Sequence, residues 1–184
     1  LPIYPTSSFT FETADEGIEI FSNKKEGYVY SRYGNPTMDA VASKIANLEV
    51  AGLNLEASAI LVSSGMSAIT TLVMALVKSG DKIMTQGNLY GGTTELFVKI
   101  FQPLGIETIM MDLGRLSEVE EAVAKDSKIK LIYFETPANP TLACVDMEAL
   151  AAIAKKYGRI SAVDNTFATP YLQQPFIYGV DYII

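Results

Sequence analysis

Ala162-Val163-Asp164-Asn165-Thr166 is a short apolar run that stops on a carboxylate. Ile160 and Val163 supply β-branched bulk, and Asp164 falls where such a strand would end. In open α/β sheets, functional side chains gather at the carboxyl ends of strands, and an Asp there can hold a positive charge in place. A strand ending in Asp-Asn also reads as an ordinary turn, so the segment has to be weighed with the chain around it.

Working outward, the segment before it is a helix. Asp146 is placed to cap it, Met147, Leu150, Ile153, Ala154 and Tyr157 form an apolar face, and Gly158 ends it. The same alternation runs through most of the chain. Ala59-Ile60-Leu61-Val62 reads as a buried strand, Ser63-Ser64-Gly65 as a tight turn, and Met66 to Val77 as an apolar helix. Lys82 to Thr85, Ile106 to Met111 and Ile129 to Phe134 read as strands, and Val180 opens another. The helices between them run from about Thr93 to Phe101 and from a capping box at Ser117-Glu118-Val119-Glu120. Such alternation predicts an α/β domain with a mainly parallel sheet and helices on both faces. All strand C-ends then lie on one rim, which gathers Ser64, Gly65, Tyr90, Asn139 and Asp164.

Several of these positions carry chemistry. A small turn feeding a helix N-terminus at Gly65 and Met66 offers backbone N–H groups to an anion, though an ordinary turn has the same look. Tyr90 sits among turn formers, where a flat aromatic can stack on a ring. Pro137 and Pro140 bracket Asn139 in a rigid loop at a strand end. Tyr30 and Arg32 are two apart, so an extended segment points both the same way, as a phosphate clamp or as an edge strand with a solvated Arg. Thr37 is placed to cap the helix that follows. Residues 1–27 lack a period and read as an extended arm. Phosphate cradle, stacking aromatic and carboxylate together are the parts needed to hold pyridoxal phosphate (PLP).

Composition bounds the alternatives. The 184 residues are 49% hydrophobic, enough for a real core. The net charge of −7, with Lys and Arg scattered, argues against a nucleic-acid partner. There is no His, which removes His-based triads and His zinc ligands. The single Cys144 allows no internal disulfide and fits a cytoplasmic setting. The uncharged stretch from Ala57 to Val77 is broken by Ser63-Ser64-Gly65, so no membrane span is expected. No GxGxxG follows a strand, which disfavours a nicotinamide enzyme. The chain opens Leu-Pro, so the natural start is expected upstream.

Five segments in order resemble one family: Tyr30-Ser31-Arg32-Tyr33-Gly34-Asn35-Pro36-Thr37, Ser64-Gly65-Met66, Leu89-Tyr90-Gly91-Gly92-Thr93, Glu135-Thr136-Pro137-Ala138-Asn139-Pro140, and Val163-Asp164-Asn165-Thr166. They are similar to the transsulfuration enzymes of cysteine and methionine metabolism: cystathionine γ-synthase, cystathionine γ-lyase, O-acetylhomoserine sulfhydrylase and methionine γ-lyase. The resemblance implies the fold type I, aspartate aminotransferase-like architecture. It implies PLP as cofactor and elimination or replacement at the β or γ carbon of a sulfur amino acid or activated homoserine. It implies Gly65 and Met66 with Ser64 at the cofactor phosphate, Tyr90 on the ring and assisting proton transfer, Asn139 beside the ring or its O3′, Asp164 at the pyridine nitrogen, and Thr166 as a further cofactor-binding residue. Tyr30 and Arg32 would serve a neighbouring subunit, so a homodimer sharing active sites, within a tetramer, is implied. Residues 1–35 would be the arm that reaches that subunit. Residues 36–184 would be an incomplete PLP-binding domain, with the C-terminal domain and the Schiff-base lysine beyond Ile184. Gly92 stands where typical methionine γ-lyases carry a cysteine. A PLP-binding or regulatory module without the lysine is the alternative from another class.

Overall fold

The structure is a computed structural model that describes residues 2–184. It divides into two compact units, up to Leu61 and from Val62 onward.

In the first unit, Ser8 and Tyr30 form an antiparallel bridge. Helix α1, Ala14–Phe21, interrupts what the sequence suggested was a plain extended arm. Its start is a capping signal: the Thr13 hydroxyl accepts from the Glu16 amide at 3.1 Å. Helix α2, Pro36–Glu49, has Asn35 as its cap, not Thr37. The Asn35 side chain accepts from Thr37 N at 2.9 Å and donates to Tyr4 O at 3.0 Å and to Ser31 Oγ at 2.9 Å. Pro36 takes the first helical position, where its missing N–H costs nothing.

The second unit is built on a five-stranded parallel sheet of β1 (Lys82–Thr85), β2 (Glu107–Met110), β3 (Ile129–Glu135), β4 (Ile160–Asp164) and β5 (Tyr182–Ile183), in spatial order β2-β1-β3-β4-β5. The order reverses between β1 and β3, so the crevice for a ligand opens there, at the strand C-ends. Parallel strands are covered on both faces, and successive residues alternate between the covers. Ile83, Leu131, Tyr133 and Ala162 pack with α3 (Gly65–Leu76) and with the π-helical segment Leu96–Phe101 that continues α4 (Gly91–Glu95). Met84, Ile132, Phe134 and Val163 pack with α5 (Leu116–Lys125) and α6 (Met147–Lys156). Fully burying Leu150, on α6, contributes about 1.5–3 kcal/mol. A short α7, Thr169–Leu172, follows β4.

Two local expectations fail. Ala59-Ile60-Leu61-Val62 is not a strand, and Ile60 is 84% exposed. An apolar run becomes a strand only where a neighbour supplies the ladder, and none pairs with it among the described residues. The capping box at Ser117 does not form either; α5 starts at Leu116 with Arg115 as its cap, two residues earlier, and Arg115 bonds to Glu118 at 3.2 Å. Asp146, by contrast, caps α6 by accepting from Ala149 N at 2.9 Å. Gly158 closes it at φ +62°, a conformation that glycine alone adopts freely. No helix among the described residues is long and apolar enough to cross a membrane.

Candidate active site

Asp164 is the last residue of β4, which places its carboxylate on the rim. Three donors orient it. Oδ1 accepts from Thr166 N at 3.1 Å and from Thr166 Oγ1 at 2.6 Å, and Oδ2 accepts from the Tyr133 phenol at 3.4 Å. Tyr133 is fully buried, and Phe97 meets its ring edge-on at 5.2 Å. Burial first, then the nearby Asp164 and Glu135 carboxylates, push the Tyr133 phenol well above its ordinary range. It therefore stays protonated at neutral pH and remains a donor.

Glu135 ends β3 and stands in register with Asp164 on β4. It is 5% exposed, and burial, opposed by two backbone hydrogen bonds, raises its carboxyl above the usual range. Those bonds come from Tyr90 N at 2.7 Å and Asn139 N at 2.6 Å. Tyr90 caps α4, and its side chain is half exposed. Its ring lies against Gly92, where a Cβ would fall 2.7 Å from Tyr90 Cε1 and 3.2 Å from Met66 Sδ. A side chain at position 92 would therefore need the Tyr90 ring or the Met66 thioether to shift.

Met66 is in the first turn of α3. Ser64 caps this helix by accepting from Ser67 N at 3.1 Å, and Ser63 and Ser64 both lie 2.9 Å from the Ser67 hydroxyl. The amides of Gly65 and Met66 are left without a partner among the described residues, at the positive end of a 12-residue helix. Nothing lies within 4 Å of a Cβ built on Gly65, so the approach is open.

The structure therefore brings together Ser64, Gly65, Met66, Tyr90, Asn139, Asp164 and Thr166 within the second unit. Tyr30 and Arg32 belong to the first. There the chain turns at Tyr30–Tyr33, with Tyr33 N donating to Tyr30 O at 2.8 Å, where an extended run was expected. Phenol and guanidinium still meet: Arg32 Cζ lies 5.2 Å from the Tyr30 ring and 5.7 Å from the Tyr33 ring. Sequence reasoning assigned no role to Glu135, Tyr133 or Gln86. Glu135 carries the same signal as Asp164, a carboxylate closing an apolar run; Tyr133 gives none, since a buried aromatic in a strand is ordinary. A cavity of about 410 Å³ opens beside the site, between Gln86, Asn88, Asp112 and Cys144, and no candidate site residue lines it.

The model of the Cys/Met metabolism PLP-dependent enzyme family matches residues 1–184. The chain belongs to that family. It is 41% identical to an L-methionine gamma-lyase of Fusobacterium nucleatum, over all of this chain and 45% of that one. It is also 41% identical to an O-succinylhomoserine sulfhydrylase of Pseudomonas aeruginosa, over 99% of this chain and 43% of that one. Among solved structures, a Campylobacter jejuni protein described as an O-acetylhomoserine (thiol)-lyase, with a pyridoxyl-lysine monophosphate in place, superposes with a TM-score of 0.89 at 38% identity, over 100% of this chain and 44% of that one. Cystathionine gamma-lyase from Lactobacillus plantarum, complexed with L-serine, gives 0.86 at 35% identity, over 99% and 43%. The fold type I architecture implied by the sequence is the one observed. The chain spans less than half the length of these relatives.

Proposed function

We propose that this chain is the cofactor-binding portion of a PLP-dependent enzyme that performs β- or γ-elimination, or γ-replacement, on a sulfur amino acid or an activated homoserine. The observation that carries the reading is Asp164: a carboxylate at a strand end, oriented by Thr166 and Tyr133, with no cation paired to it among the described residues. The residues fit the group. The free amides of Gly65 and Met66, with Ser64, take a phosphate at the positive end of α3. Tyr90, half exposed and rooted on Glu135, stacks on a flat ring and assists proton transfer through its phenol. Asn139 flanks the ring.

Asp164 holds a proton on the pyridine nitrogen. A protonated ring nitrogen makes bound PLP the stronger electron sink for the electrons released at the substrate Cα. Tyr30 and Arg32 serve the phosphate of a neighbouring copy, so the working unit is a homo-oligomer, at least a dimer. Residues 1–35 are the arm that presents them, and residues 36–184 form part of the PLP domain. The Schiff-base lysine and the substrate-carboxylate site lie in sequence beyond Ile184.

Borohydride reduction of the full-length protein, followed by intact mass, is the test. A pyridoxyl-phosphate adduct on a lysine is expected; its absence overturns the reading. Product analysis from O-acetylhomoserine, cystathionine and methionine then separates replacement from elimination. Methionine elimination enters because relatives at 41% and 39% identity carry the name L-methionine gamma-lyase.

A further inference from the structure

Glu135 joins two loops that sequence separates widely. Its Oε2 takes the amide of Tyr90, 45 residues away on the loop after β1, and its Oε1 takes the amide of Asn139, on the loop after β3. These loops flank the point where the strand order reverses. We propose that Glu135 is a positioning residue of the ring slot: one carboxylate, closing β3, sets the spacing between the aromatic wall at Tyr90 and the amide wall at Asn139. The inference rests on the PLP reading above and adds a determinant to it.

The chemistry requires this side chain. The two amides reach different oxygens of this side chain, and a carboxylate is the group that offers two acceptor oxygens and no donor. Gln at the same length offers one acceptor and turns an NH₂ toward the other amide. Asp is a methylene short. The carboxylate is itself anchored: the Glu135 backbone donates to Gln86 Oε1 at 3.3 Å and accepts from Gln86 Nε2 at 2.9 Å, and Gln86 is buried. The side-chain amide of Gln86 thus extends the β1–β3 ladder by one residue and fixes the root from which Glu135 reaches. Tyr90 is pinned on its other side too, because its carbonyl accepts from Thr93 N at 2.9 Å and Thr94 N at 3.1 Å as α4 begins.

The test compares the full-length wild type with E135Q and E135D. In cofactor-free protein, amide hydrogen exchange followed by mass spectrometry should speed up at least tenfold at Tyr90 and Asn139. Peptides from α5 and α6 should be unmoved, and the melting temperature close to that of wild type. PLP dissociation constants, titrated by absorbance, should rise at least tenfold in the same variants. E135D keeps the charge and provides the measurement should E135Q fail to fold. Unchanged exchange at the two amides overturns the proposal. So does faster exchange with unaltered PLP affinity, which would make the clamp purely structural. A wild type that takes up no PLP overturns the reading of the site itself, and with it the role of Glu135, whatever the exchange data give.

Discussion

Lys82, at the amino end of the sheet, and two carboxylates at its carboxyl end handle charge in opposite ways. At the amino ends, Lys82 opens β1 and pairs with Glu107 Oε2 at 3.0 Å and Asp126 Oδ2 at 3.1 Å, so a cation sits between two carboxylates. At the carboxyl ends, Glu135 and Asp164 stand in register on neighbouring strands, and no Lys or Arg pairs with either among the described residues. Backbone amides and hydroxyls hold them instead. Dipolar donors orient a carboxylate without cancelling its charge. The first arrangement is complete in itself; the second leaves unneutralised negative charge beside an open crevice, which suits a cationic ring nitrogen.

Asp164→Asn should break the contrast most. It keeps the shape and removes the charge, so the loss falls on the ligand and not on the fold. Removing one partner of a buried, hydrogen-bonded charge pair costs about 2–5 kcal/mol. PLP affinity of the full-length protein should therefore fall by about 30-fold or more, with the urea midpoint little changed. An unaltered dissociation constant would mean that the carboxylate faces no cationic nitrogen.

Gly92→Cys comes next. Its Cβ would enter 2.7 Å from the Tyr90 ring, and overpacking of this kind costs about 1–3 kcal/mol where neighbours cannot yield. Tyr90 is half exposed and can swing outward, so the cost should appear in ring stacking before it appears in stability. The expected result is a lower PLP affinity with a melting temperature close to wild type. Equal affinity would show that stacking tolerates a displaced ring.

Much of this was legible in the sequence. The strand–helix alternation from Lys82 onward, the caps at Asp146 and Gly158, and the rim positions of Tyr90, Asn139 and Asp164 follow from local rules of period, cap and turn. What stayed hidden depends on partners distant in sequence. Ile60 looks like a strand residue because hydropathy does not report whether a neighbour is there to pair with it. Glu135 ends its strand as Asp164 does, yet its partners, Tyr90 and Asn139, could be found only once the sheet order was known. Helix α1 is a different kind of miss: Thr13 and Glu16 spell a capping signal within four residues, but the segment is too short to show a clear period.

Tyr133→Phe removes one of three donors to Asp164. A single hydrogen bond of this kind contributes about 0.5–1.5 kcal/mol, and two bonds from Thr166 remain. PLP affinity should drop by less than for Asp164→Asn, and the Phe ring should keep its edge-on contact with Phe97. A loss as large as that of Asp164→Asn would mean that Tyr133, and not Thr166, governs how the carboxylate is presented.

Lys82→Met is the smallest perturbation and the control for the whole contrast. Hydrogen bonds to Glu107, then Asp126, hold the Lys82 ammonium above its ordinary range. A folded-state pKa that is raised contributes stability fully present below the unfolded value, about 10.4, and lost as pH rises through the folded one. At neutral pH the pair is therefore intact, but its partners are partly solvated and salt screens them. The wild type should exceed Lys82→Met slightly in urea midpoint at low salt, with the gap closing in high salt or as the pH passes about 10.4. PLP affinity should not change at any salt concentration. A change in affinity would mean that the two ends of the sheet communicate, and the division between a closed structural end and an open functional one would have to be given up.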